Sequence, residues 1–120
     1  MRRVPCLVLL VFFSLAMGCQ SSLSGGVEAY DQSRYPEAIS ELRRAEVAWH
    51  SANERERTRY ALYRGLTHLA LGDADAAQTW LCWARQHADR DAELLNTKER
   101  GQLDAAWRSL GHMPGDGSRY

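Results

Sequence analysis

The chain has 120 residues, and its 15 basic and 15 acidic side chains give a formal charge of zero. That balance argues against nucleic acid as a main partner, because phosphate binding needs a clustered positive field. The length leaves room for one domain beyond any export segment.

The chain opens with Arg2 and Arg3, followed by an apolar run from Val4 to Met17 centred on Leu7–Phe13. Fourteen residues fall short of the roughly 20 that a bilayer-spanning helix needs. The run fits the core of a secretory signal peptide, which is removed and stays out of fold reasoning. Loss of both arginines takes the basic count from 15 to 13 against 15 acids, so the mature chain is near −2. Cys6 lies inside the export segment and Cys19 at its end. Cys82 alone remains in the mature body, and one thiol cannot staple a fold.

Leu15-Ala16-Met17-Gly18-Cys19 resembles the bacterial lipobox, in which small residues precede a lipid-modified cysteine. Gly18 and Cys19 match, while Ala16 stands where the leucine is preferred. The resemblance implies cleavage before Cys19, with residues 1–18 removed, a diacylglyceryl thioether on Cys19, and an acylated N-terminus. Several acyl chains together give stable anchoring. Ordinary secretory cleavage and an uncleaved anchor are the alternatives. Gln20, rather than aspartate, follows the cysteine, which in the sorting pattern this resembles favours the outer membrane. Residues 19–26, rich in Ser and Gly, read as a lipidated flexible tether.

From Val27 to Gly111 the pattern is helical, and nothing alternates as a strand would. Tyr35, Ala38, Ile39, Leu42, Ala45 and Trp49 form one apolar stripe, with Pro36 in the first turn. A second helix is predicted over Asn53–Leu71, with Ser51 and Glu54 spaced as a capping box. Gly72 marks its left-handed end. Asp73 caps a third helix carrying Ala76, Ala77, Trp80, Leu81 and Ala84. A last helix within Ala92–Leu110 places Leu103, Ala106, Trp107 and Leu110 on one side. Gly111 and Pro114 end it, and residues 112–120 read as a disordered tail.

Gly26, Ala38, Leu42 and Ala45 are matched 39 positions later by Gly65, Ala77, Leu81 and Ala84. With Tyr35-Pro36-Glu37-Ala38-Ile39 and Leu71–Ala77 as turns into second helices, this spacing resembles the tetratricopeptide repeat. The resemblance implies an all-α fold of antiparallel helix hairpins, about two units, with the last helix as a C-terminal cap. That family's period is about 34 residues, so about five extra residues belong between Ala45 and Gly65, around Trp49–Glu56. Two units are fewer than the three or more usually needed for a stable stack. Self-association, or a partner completing the stack, would relieve the shortage.

Candidate chemistry is thin. His50, His68, His87 and His112 show no ligand spacing, and Cys82 and His87 are five apart on a helix, so no metal site is expected. Cys82 beside Trp83 reads as a small buried hydrophobe; catalysis would need His68 or His87 brought close in space. Glu54 and Glu56 alternating with Arg55, Arg57 and Arg59 read as a solvated, salt-bridged face. There is neither a phosphate loop nor a nucleophile elbow. No catalytic residue and no cofactor is therefore expected. Trp49, Trp80 and Trp107 fall on core stripes. Trp83 is displaced from them, toward the cap or a binding patch.

In the repeats resembled, the first helix of each unit lines the concave surface. On that resemblance Tyr30, Arg59, Leu62, Leu66 and Leu69, with Trp83 added from its displacement, are the expected partner-binding face. The expected function is a lipid-anchored adaptor or assembly factor that binds an envelope protein, held at the membrane through the lipid on Cys19. A small cell-wall hydrolase and a purely structural subunit are the alternatives.

Overall fold

A computed structural model of the chain describes residues Ser22–His112. Cys19, the expected export segment, the first residues of the expected tether and residues 113–120 lie outside the described residues. Within them five α-helices follow one another: α1 (Ser22–Asp31), α2 (Tyr35–Ala45), α3 (Glu54–Ala70), α4 (Ala74–Arg90) and α5 (Thr97–Ser109). Two 3-10 segments, Glu46–Ser51 and Ala92–Leu94, lie in the connections after α2 and α4. Among the described residues there is no strand, and no helix is long and apolar enough to cross a membrane.

The first helix departs from expectation. A tether through Gly26 was the reading that the glycines favour, yet α1 already begins at Ser22 and buries Leu23, Gly26 and Ala29. The reason is tertiary: the missing side chain of Gly26 admits Leu42, whose Cδ2 and Cγ would lie 2.7 Å from an added Cβ. Burial of Leu42 against α1 outweighs the roughly 1 kcal/mol that each helical glycine costs.

Gly65 repeats the arrangement on α3, where an added Cβ would lie 2.5 Å from Leu81 Cγ. Both glycines let one helix approach the next, α1 on α2 and α3 on α4. The helix ends also correspond. Ser33 and Gly72, 39 positions apart, both hold positive φ, at 61° and 85°. In each case an amide bonds back five residues, Arg34 N–H to the Ala29 carbonyl and Asp73 N–H to the His68 carbonyl. This is the Schellman pattern, which satisfies carbonyls that a helix end leaves open.

The caps are partly where the sequence put them. Asp73 accepts from Ala76 N–H at 3.2 Å, as expected. The predicted box at Ser51 is displaced by two residues: Asn53 Oδ1 accepts from Glu56 N–H at 2.8 Å, and the Ser51 hydroxyl instead donates to the Ala48 carbonyl. The chain stays in a 3-10 turn through Ser51, and of the two extended residues that follow, Ala52 and Asn53, only Asn53 has a side chain that can cap α3. A full capping box, Asn96 with Glu99, starts α5, where the sequence alone suggested none.

The core runs along α3. Tyr60, Leu62, Tyr63 and Leu66 pack with Leu42, Leu81, Ala84, Leu103 and Trp107 in one cluster. Thr58 and Thr67 are fully buried, and each hydroxyl donates to the carbonyl four residues back, at 2.8 and 2.7 Å. His112, expected in the tail, stacks on Trp107 at 4.2 Å.

Candidate functional site

The predicted partner-binding residues separate into four places. Tyr30 of α1, Leu66 and Leu69 of α3, and Gln102, Ala105, Ala106 and Ser109 of α5 line one shallow groove of about 310 Å³. Tyr30 and Leu69 occupy corresponding places, 39 residues apart, on α1 and α3. Tyr30 is half-buried, its ring 5.7 Å from Tyr63 and 5.6 Å from Tyr35. Burial pushes its phenol pKa up, with Tyr35 and Asp31 adding to the shift. The Oε1 of Gln102 is buried and accepts no hydrogen bond.

Leu62 does not belong to that surface. It is fully buried, because α3 is covered by neighbours on more than one side. Leu66 is 5% exposed and supplies groove floor rather than a projecting contact.

Arg59 lies apart, in an ion pair that ties α3 to α5. Its Nε donates to Glu99 Oε2 at 2.9 Å, and the same oxygen accepts from the Tyr63 hydroxyl at 3.2 Å. Glu99 Oε1 accepts from the Asn96 amide, so the capping side chain of α5 is also the buried carboxylate of the pair. Tyr63 is pushed far above the usual phenol range, chiefly by burial and next by the Glu99 charge. It remains a hydrogen-bond donor at any physiological pH.

Trp83 lies in an aromatic cluster built around the connection that the repeat spacing had to accommodate. Trp49 of the 3-10 segment meets Tyr60 at 5.4 Å, Trp83 at 5.1 Å and Trp80 at 6.1 Å. Trp83 stacks on His87 at 3.7 Å, so its second surface faces the Trp49 segment. Arg64 sits 5.1 Å over Trp80 and pairs with Glu46 at 3.1 Å. Arg57 donates to the Trp49 and His50 carbonyls, at 2.8 and 2.9 Å, so that it holds the end of the 3-10 segment, where the Trp49 carbonyl also accepts from the Ala52 N–H.

No family model, curated protein or solved structure matches the chain.

Cys82 and His68 are held in structural contacts. Cys82 Sγ accepts from Gln86 Nε2 at 3.8 Å, and burial pushes the thiol pKa up, which lowers its thiolate fraction and its reactivity. His68 is shifted down, first by burial and then by Arg64, which donates to its Nε2 at 3.2 Å. Among the described residues no group of three or more His, Cys, Asp or Glu is placed to hold a metal ion. A second groove, of about 590 Å³, opens beside Ser22 and Leu23 and carries Val47, Ala48 and Trp49. A third depression between α1 and α2 is lined by Glu28, Glu37, Glu41, Arg34 and Arg44.

Proposed function

We propose that the chain is an exported protein, lipid-anchored at Cys19, whose helical domain binds another envelope protein through the groove between α1, α3 and α5. The domain is built as two units similar to tetratricopeptide repeats, α1–α2 and α3–α4, with α5 as the cap. Three correspondences at a 39-residue offset support the two units: the Gly26–Leu42 and Gly65–Leu81 approaches, and the left-handed ends at Ser33 and Gly72. The offset exceeds the family's period because the connection carries the 3-10 segment with Trp49.

The observation that carries the binding role is the groove itself. Its floor is apolar, from Tyr30, Leu66, Leu69, Ala105 and Ala106, and its polar edge includes Gln102 and Ser109. Small interfaces work in this way, burying a few apolar anchors within a polar rim.

The test is in-cell photo-crosslinking with mass spectrometry. A crosslinking residue at Leu69 or Ala105 captures one envelope protein, whereas the same residue at the exposed Gln78 of α4 does not. Cys19→Ser lowers capture from Leu69 severalfold. Equal capture from Gln78, or none from the groove, would remove the binding role.

A further inference from the structure

We infer that the end of the domain carrying Val47 seats on the lipid surface, so that the 590 Å³ groove beside Ser22 and Leu23 faces membrane headgroups. This rests on lipidation of Cys19 and adds an orientation to it. The decisive observation is that Ser22, the first described residue, is already helical. Helix from Ser22 leaves only Gln20 and Ser21 between the first helical residue and Cys19. Fully extended, three Cα–Cα steps reach about 10 Å. A domain held so closely has no freedom to stand away from the bilayer, and the surface around Ser22 must meet it.

That surface suits the place. Val47 is 88% exposed, an unusual position for a β-branched apolar side chain, and Ala48, Ala52 and Leu23 continue the apolar lining. Arg44, Arg57 and Arg59 line the same groove beside Glu56. Arg44 also pairs with Glu41 and Arg59 with Glu99, so Arg57 is the arginine there with no acidic partner among the described ion pairs. An apolar tip within a basic rim matches the boundary between acyl chains and anionic headgroups. Leu71, at 46%, is the other large apolar residue exposed among those described, and it ends α3 at the far side. The 17 residues of α3 separate the two ends by about 25 Å. Only the Val47 end adjoins Ser22.

The orientation is tested on the purified full chain in vesicles of phosphatidylethanolamine and phosphatidylglycerol carrying a nitroxide-labelled lipid. Val47→Cys and Leu71→Cys, each in a Cys82→Ala background, are labelled with an environment-sensitive fluorophore. Both positions are exposed, so neither label disturbs the core. Intact mass first reports whether Cys19 carries lipid. With lipid present, the label at 47 is quenched severalfold more than the label at 71. Lipid on Cys19 with equal quenching, or with stronger quenching at 71, overturns the orientation and leaves the anchor standing. A chain processed without lipid on Cys19 overturns both.

Discussion

Glu99 is 2% exposed, yet it carries a carboxylate that accepts from Arg59, Tyr63 and its own cap's backbone. A charge so placed is tolerated because both carboxylate oxygens meet donors, two at Oε2 and one at Oε1. Glu99→Gln keeps the shape but replaces charge-assisted bonds with neutral ones. It lowers unfolding free energy by about 2 kcal/mol, readable by urea denaturation. Arg59 is one-third exposed and stays solvated when its partner is neutral, which keeps the loss below that of a fully buried pair. His68 acts in the other direction. Burial and Arg64 depress its pKa, and Arg43 adds to this, while Asp73 opposes. Because the folded state binds the proton less readily than the unfolded chain, its contribution is complete above the ordinary histidine pKa of about 6.5. It is lost as pH falls below that value. His68→Gln therefore flattens the fall in stability between pH 7 and 5; an unchanged slope would assign that fall to the carboxylates alone. The Arg59–Glu99 pair was not visible beforehand, since it spans 40 residues and no local pattern announces it.

At the scale of elements, three helical glycines give an internally controlled experiment. Gly65→Ala places a methyl 2.5 Å from Leu81 Cγ and 3.1 Å from its backbone nitrogen, so the helices must part. Overpacking of this kind costs about 1–3 kcal/mol, which exceeds the helix propensity gained. Gly26→Ala meets mainly the end of Leu42, with the backbone at 3.5 Å, and costs less. Gly101→Ala, with nothing within 4 Å, stabilises α5 by about 0.5–1 kcal/mol. Thermal denaturation of the three variants should rank them in that order; a tolerated Gly65→Ala would show that the close approach is not required. Ser33 belongs with them. Its φ of 61° is one that glycine holds freely, as Gly72 does 39 residues later. Ser33→Gly is expected to raise stability by up to about 1 kcal/mol. The glycine at 72 was legible as a helix end, whereas its counterpart was hidden because a serine occupies it. The groove was legible in part for a similar reason. Tyr30, Leu66 and Leu69 came with the repeat resemblance, which named Leu62 alongside them. Leu62 lies on the same helix as the two leucines but turned inward, and a helix packed on several sides offers no stripe to separate it from them.

For the whole molecule, the balance between local preference and packing differs from one end to the other. Helices α3, α4 and α5 were readable because periodic apolar residues, caps and left-handed ends agree with the tertiary contacts they make. Helix α1 was not, since Ser24, Gly25 and Gly26 favour coil and only burial of Leu23, Gly26 and Ala29 holds them helical. The same imbalance governs how the molecule opens. Loss of α1 exposes three buried positions, of which Leu23 alone is large, while loss of α3 exposes Tyr60, Leu62, Tyr63 and Leu66 together. Native-state hydrogen exchange should therefore place the α1 amides in a separate unit, opening at a free energy below that of global unfolding. The α3 amides should exchange only through the global event. Low denaturant will move the α3 rates and leave those of α1 nearly constant, because local opening exposes little surface. If α1 and α3 instead merge at one free energy, the two pairs of helices behave as a single cooperative body. The Gly26–Leu42 contact then couples α1 to the core as firmly as Gly65–Leu81 couples α4.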